Sequence, residues 1–260
     1  MIEELDFAKR IAKEAGAIIL KDFSSPNVSL KIDGSPLTAT DMAINKIVID
    51  QVAKHFPNHS VKGEEKSLLL RSSTHTWVCD PIDGTLPYTL GIPTCVFSLA
   101  LLNSEGKPIV AVVYDPFEDR YYYATLGGGA FMNETKLSVN HTEKVEDALI
   151  GNSGRSSEFI YADKFKTYLY QHSYRPIILH SVIYEAMLVA SGKIAATVMT
   201  GDAPHDAASA KLIVEEAGGT VTDLFGSEQR YDDAIRGAII SNGAIHADII
   251  SLAQKYRLNI

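Results

Sequence analysis

The stretch Trp77-Val78-Cys79-Asp80-Pro81-Ile82-Asp83-Gly84-Thr85 sets two carboxylates three positions apart at the end of an apolar run. Thr76 to Asp80 reads as a short strand that delivers Asp80 to its end. Pro81 then fixes φ and turns the chain, so Asp83 falls where a tight turn folds both carboxylates toward one point. Gly84 admits backbone angles closed to other residues, and the amides after it can form an anion-binding nest or a helix start. Two carboxylates, a carbonyl, a hydroxyl and several N–H donors are the inventory of a metal–phosphate site. An Asx-type turn capping a helix uses the same residues, so the segment alone leaves both readings open.

Outward from this segment the chain is ordinary. It has 260 residues, 46% hydrophobic and 22% charged, the make-up of a folded protein rather than a disordered one. Its 24 Lys and Arg against 32 Asp and Glu give a net charge of −8, with no cationic cluster suited to a nucleic-acid polymer. The surplus of acids matters only if they converge, because Mg²⁺ and Ca²⁺ take oxygen ligands. VFSLALL at 96–102 is far too short to span a bilayer, and MIEELDFAKR is no secretion signal, so neither a membrane nor export is expected. Cys79 and Cys95 lie in apolar, strand-like runs and read as buried reduced thiols, which points to the cytoplasm.

Apolar spacing predicts helices over 4–22 and from Asp41 to Phe56, the second capped by Thr40 or Asp41. TCVFSLALL, PIVAVVYD and RYYYAT, parted by NSEG and PFED, predict an antiparallel meander over 94–125. The glycines at 127–129 lack the Lys-Ser/Thr of a phosphate-binding P-loop and read as a hairpin or bulge, followed by a short strand near 137–139. Beyond it, strands at 148–151, 176–180, 194–199, 220–224 and 238–241 alternate with helices around 157–172, up to Gly192, over 205–217 and from 244. The expectation is an α+β domain over 1–144 and an α/β domain over 145–260, sharing an interface.

Two remote acidic points keep company with the central segment. Gly63-Glu64-Glu65 follows a helix and a loop, and Asp206 opens the helix of HDAASAKLIVEEAGG. Each alone is ordinary: paired glutamates suit a surface loop, and an aspartate in a first helical turn suits the dipole.

The chain resembles the inositol monophosphatase family, within the lithium-sensitive, Mg²⁺-dependent phosphatases. KIDGSPLTATDMAIN (31–45), GEE (63–65), WVCDPIDGT (77–85), GIPTCVFSLAL (91–101), VYDPFEDRYYYATLGGGAFMN (113–133) and HDAASAKLIVEEAGG (205–219) match in family order. The resemblance implies a layered αβαβα sandwich, a homodimer and a small phosphorylated metabolite as substrate. It implies that Glu64, Asp80 and the Ile82 carbonyl hold one Mg²⁺, that Asp80, Asp83 and Asp206 hold a second, and that a third, weaker ion binds near Glu64. Gly84 and Thr85 amides would bind phosphate, Glu64 and the Thr85 hydroxyl would position and deprotonate the attacking water, and Asp41 would buttress Thr85 as an acceptor. Asp83, beside them, belongs to the same phosphate-facing set. Lys31 matches a basic position of the first motif.

The departures from the family pattern fall in the pocket. The family's Trp-Asp is His205-Asp206, with His205 touching substrate or packing where an indole would. Where relatives carry Arg-Ser-x-Gly-Ser-Ala-Ala this chain has Ile177 to Ile183, with His180 and Ser181 as substrate-facing candidates. A carboxylate that reads ring hydroxyls in inositol-specific relatives is Met199 here, which cannot accept their hydrogen bonds. Sugar phosphates or bisphosphates, adenosine 3′,5′-bisphosphate (a 3′(2′),5′-bisphosphate nucleotidase) and histidinol phosphate stand beside inositol phosphate as substrates. A catalytically weak regulatory or binding protein on the same fold is the rival of another class.

Overall fold

A computed structural model describes residues 1–23, 26–31, 34–152, 167–169, 171–172 and 175–255. Helix α1 (Ile2–Asp22) buries Phe7, Ala8, Ile11, Ala12, Ala15 and Ile19, one stripe at the i, i+3, i+4 spacing of its sequence. Strands β1 (Val28–Leu30) and β2 (Pro36–Thr38) form a small hairpin that leads into α2 (Ala39–His55). The α2 cap is Thr38, not Thr40 or Asp41. Thr38 accepts from the Asp41 amide at 3.3 Å, and Asp41 Oδ2 accepts from the Thr38 amide at 2.8 Å, a reciprocal capping box.

The first sheet follows: β3 (His59–Gly63), β4 (Ser67–Leu68), β5 (His75–Asp83), then, after the short helix α3 (Thr85–Thr89), β6 (Val96–Leu102), β7 (Pro108–Asp115), β8 (Arg120–Thr125), β9 (Gly129–Met132) and β10 (Thr135–Lys136). Its order is β10-β9-β8-β7-β6-β5-β3-β4, antiparallel except for the parallel pair β3–β5. Period-two alternation sorts its side chains. Trp77, Cys79, Leu99, Leu101 and Val112 pack with α1 and α2, whereas Val78, Ala100, Ala111 and Val113 face the opposite way, into the middle of the molecule. The glycine run at 127–129 turns β8 into β9, with the Gly127 and Gly129 amides donating to the Glu216 carboxylate at 2.6 and 2.7 Å.

The strand expected near 137–139 is not there. β10 ends at Lys136; the Leu137 amide still bonds Ala130 O of β9 at 2.8 Å, and the Val139 amide bonds Ala217 O at 3.1 Å, so the chain leaves the sheet for the helix layer across these residues. The second sheet comprises β11 (Leu149–Gly151), β12 (Arg175–Ile177), β13 (Ala196–Met199), β14 (Thr220–Thr222) and β15 (Ala238–Ser241), in the order β12-β11-β13-β15-β14. It is mixed: β12, β11 and β13 run parallel, while β15 inserts antiparallel between β13 and β14. The helix expected over 157–172 lies mostly outside the described residues; 167–169 and 171–172 are helical.

Helices α4 (Val182–Ala190) and α5 (Ala208–Glu216) fill the space between the sheets, and α6 (His246–Lys255) covers the far side of the second. The layers are therefore helix, sheet, helix, sheet, helix, an αβαβα sandwich. One apolar cluster runs from Val78, Ala100 and Val113 of the first sheet through Met187 and Ile213 to Val221 and Ile240 of the second. Among the described residues no helix is long and apolar enough to cross a membrane.

That shared layer couples the halves. Ile213→Ala should lower stability by about 2–5 kcal/mol and shift the urea midpoint of Trp77 fluorescence together with that of circular dichroism. Trp77 is the sole tryptophan and sits in the other apolar cluster, so a Trp77 midpoint left unchanged would show the halves unfolding independently.

Candidate active site

β5 does not stop at Asp80. It continues through Asp83 with an irregularity in its ladder: Asp80 faces Ser98 of β6 and Asp83 faces Val96. Three steps along β5 therefore match two along β6, the signature of a bulge. In a regular strand residues three apart point to opposite faces; here the extra residue restores the parity, and both carboxylates leave on the side of α4 and α5. The tight turn expected at Pro81 is thus a bulge, a position where a strand tolerates proline. The Ile82 amide donates to Asp80 Oδ1 at 3.0 Å and fixes that carboxylate.

Asp83 is received by the first turn of α4. Its Oδ2 accepts from Ser181 Oγ at 2.5 Å and from the Ile183 and Tyr184 amides at 2.8 and 3.3 Å. Ser181 is also the α4 cap, so this residue, expected to face substrate, ties the second half of the chain to the first. The preceding His180, exposed and at φ 54°, stands where the resemblance placed a glycine. Glu185, buried on α4 and not singled out from sequence, accepts from the Leu179 amide at 2.9 Å and from Thr197 Oγ1 at 2.6 Å, anchoring this approach to the helix. Gly84 has φ 90°, and a Cβ there would lie 2.9 Å from Thr94 O and 3.0 Å from Ser181 Cβ, so only glycine fits. Beyond it α3 begins with Thr85, whose Oγ1 donates to Ile82 O at 3.0 Å.

Glu64 and Glu65 arrive from the end of β3. Asn45 of α2 holds their loop, accepting from the Glu65 amide at 3.4 Å and donating to Lys66 O at 3.0 Å. Lys31 Nζ lies 2.6 Å from Glu64 Oε1 and 2.5 Å from Glu65 Oε1. Burial works against its charge, but the two carboxylates outweigh burial and hold the ammonium above its ordinary pKa. Asp41 is near this pair but does not buttress Thr85. Its Oδ2 is committed to Thr38, its buried Oδ1 has no hydrogen-bond partner among the described residues, and the Thr85 hydroxyl goes to Ile82.

Asp206 comes from a single 3₁₀ turn (Pro204–Asp206) ahead of α5 rather than from its first α-helical turn, because Ala207 leaves helical geometry between them. Among the described residues three sets of ligand atoms form, the atoms of each set lying within 4.8 Å of one another: Asp80, Asp83 and Asp206; Glu64, Asp80 and His205; and Asp41, Glu64 and Glu65. His205, expected to touch substrate or to pack where an indole would, is thus drawn among the acids. Met199 is buried, and a Cβ on Gly201 would lie 3.7 Å from its Cε and 3.9 Å from Asp206 Oδ2, so Gly201 parts the Met199 methyl from that carboxylate.

Packing so many acids together makes their ionisation unfavourable. Burial first, then the charges of Glu64, Asp83 and Asp206, push Asp80 well above the ordinary carboxylate range. Burial and Asp206 raise Asp83 to about 7 despite its three donors. Burial raises Asp41 to about 6 against the pull of its Thr38 hydrogen bonds. Burial also lowers His205, favouring the neutral imidazole. A pocket of raised carboxyls is what a cation site looks like before the cation neutralises it, and its oxygen-rich donor set fits Mg²⁺.

A sequence model of the inositol monophosphatase family matches residues 1–258. The chain belongs to that family. A fructose-1,6-bisphosphatase/inositol-1-monophosphatase of Thermotoga maritima is 28% identical to this inositol monophosphatase family member, over 98% of this chain and 97% of its own. Nus factor SuhB of Escherichia coli K12 is 29% identical over 85% of each chain. A solved IMPase/NADP phosphatase, complexed with Mg²⁺ and phosphate, superposes with a TM-score of 0.83 at 27% identity, over 96% of this chain and 94% of its own. The fold is that of inositol monophosphatases, and the protein is a phosphoric monoester hydrolase.

The raised Asp83 has a thermodynamic consequence. Its ordinary pKa is 3.8 and its folded value about 7, so its contribution to stability is full below the lower value and is lost as pH rises through the higher. The lowered His205 and His246 act in the opposite sense, so a variant is needed to isolate the effect. In chelator, calorimetry should find Asp83→Asn more heat-stable than wild type at about pH 8.5, with the difference shrinking as pH falls and closing at about pH 3. A variant less stable than wild type at the higher pH would contradict the assignment.

Proposed function

We propose that the protein is a Mg²⁺-dependent phosphomonoesterase that hydrolyses small phosphorylated metabolites with water as nucleophile and no covalent enzyme intermediate. The observation that carries this reading is the convergence of Glu64, Asp80, Asp83 and Asp206, from three distant segments, beside the Gly84–Thr85 turn. Glu64, Asp80 and the Ile82 carbonyl would hold one Mg²⁺; Asp80, Asp83 and Asp206 would hold a second. Glu64 with Asp41 and Glu65 would take a third, weaker ion in competition with Lys31. When bound, Mg²⁺ supplies the positive charge that a phosphate dianion needs to approach these acids.

The remaining work falls to the chain. The Gly84 and Thr85 amides bind phosphate oxygens. Thr85 commits its proton to Ile82 O, which leaves the hydroxyl lone pairs to accept from a water, and Glu64 takes the second proton of that water. Neither thiol has a part: Cys79 and Cys95 are free and buried, and burial raises both. These buried free thiols also support a cytoplasmic location. Exposed Leu86, Leu90 and Ile92 offer an apolar face for a homodimer, which sedimentation velocity would read.

Met199, across Gly201 from Asp206, and the bulky run from Ile177 to Ile183 support a pocket that does not read ring hydroxyls, hence a permissive phosphatase rather than one dedicated to inositol 1-phosphate. The relation to Nus factor SuhB motivates the second reading, a regulatory protein with weak catalysis. A panel of inositol 1-phosphate, sugar phosphates and bisphosphates, adenosine 3′,5′-bisphosphate and histidinol phosphate, with Mg²⁺ and with or without Li⁺, separates the two. Wild type should release phosphate from several esters, and Asp80→Asn should lose more than about 100-fold while keeping its circular dichroism. Wild type releasing phosphate from none would favour the regulatory reading; wild-type-like turnover by Asp80→Asn would refute the metal assignment.

A further inference from the structure

The imidazole of His205 has no assigned work. Its side chain is 16% exposed, and its Nε2 stands 3.6 Å from Asp206 Oδ1, beyond hydrogen-bond reach. Among the described residues no hydrogen bond engages either of its ring nitrogens. A largely buried imidazole that makes no hydrogen bond has its ring nitrogens free to serve a ligand, and this one is held among anions rather than in an apolar pocket. One of its ring nitrogens, a Glu64 oxygen and an Asp80 oxygen all lie within 4.8 Å of one another. Ligands about 2.0–2.2 Å from a shared ion lie within about 4.4 Å of each other, so the three need only small adjustments to close on one ion.

The turn that carries His205 is anchored independently of any ion. Pro204 opens it, the Asp206 amide bonds Ala203 O at 3.3 Å and the Ala207 amide bonds Pro204 O at 3.2 Å. The same three-residue turn sends Asp206 to Asp80 and Asp83, and His205 to Asp80 and Glu64. We propose that His205 supplies a nitrogen ligand to the cation held by Glu64 and Asp80, so that the site pairs a mixed nitrogen–oxygen position with an all-oxygen one across Asp80. Mg²⁺ is a hard ion that prefers oxygen and suits Asp80, Asp83 and Asp206. Imidazole favours first-row transition ions, so the position beside His205 selects Mn²⁺ or Co²⁺ over Mg²⁺. This rests on the proposed reading of Glu64 and Asp80 as cation ligands.

Pulsed electron paramagnetic resonance on the full chain loaded with Mn²⁺ reads the ligand directly, without turnover. The expected result is a ¹⁴N hyperfine coupling from a directly bound imidazole, absent in His205→Ala that still binds Mn²⁺. Calorimetric titration with each ion should show the preference for Mn²⁺ over Mg²⁺ falling at least about tenfold in the variant. Mn²⁺ bound to wild type with no nitrogen coupling overturns the His205 assignment and leaves the oxygen site standing. Wild type that binds no Mn²⁺ overturns the cation site itself. Because the wild-type spectrum decides the matter, a variant that fails to fold removes only the control.

Discussion

Glu64, Asp80, Asp83 and Asp206 repel one another, and the fold holds them together all the same. Left to diffuse, four such groups would separate and hydrate; held here, the buried pair Asp80 and Asp83 is driven toward the neutral acid. The structure meets that cost with local devices. The bulge in β5 turns Asp80 and Asp83 to one side, the first turn of α4 donates three hydrogen bonds to Asp83, and Lys31 bridges Glu64 and Glu65. None of these supplies enough positive charge for the whole set, and that deficit is what a divalent cation is suited to fill.

The same constraint explains why the candidate active site lies between the first sheet and the helices packed on it. Asp80 and Asp83 stand on the first sheet, whereas the turn carrying Asp206 and the cap residue Ser181 belong to elements packed between the sheets. Small residues on the inner face of the first sheet, Ala100, Ala111 and Ala124, let α5 approach closely, and Ser98 Oγ meets Ser209 Oγ at 2.7 Å across that contact. The apolar middle layer thus fixes the separation of the acids as well as the stability of the fold.

Much of this was legible in the sequence. The stripes of α1 and α2, the meander and the glycine hairpin follow from local periodicity and turn chemistry, and the ordered acidic motifs brought out Glu64, Asp80, Asp83 and Asp206. The bulge was not legible, because Asp-Pro-Ile-Asp-Gly reads locally as a turn and only pairing with Val96 carries the strand on to Asp83. The Thr38 cap was missed although Thr38 and Asp41 have capping-box spacing; Thr40 and Asp41 lay nearer the apolar run and competed with it. Ser181 meets Asp83 from 98 residues away, and β15 enters the second sheet between strands that precede it, so neither left a local signal. His205 among the ligands, and Lys31 and Glu65 as an ion pair, likewise depend on contacts across the fold.

The central claim is that Asp80 and Asp83 hold protons until a cation displaces them. Calorimetric titration of the metal-free protein with Mg²⁺ at about pH 6.5, in buffers of different ionisation enthalpy, counts the protons exchanged on binding. Because Asp83 ionises near pH 7 and burial with neighbouring acids also raises Asp80 well above the ordinary carboxylate range, the account predicts a net release of protons to the buffer as Mg²⁺ binds. Mg²⁺ binding with no proton release would mean that the carboxylates are already ionised side by side, and would contradict it.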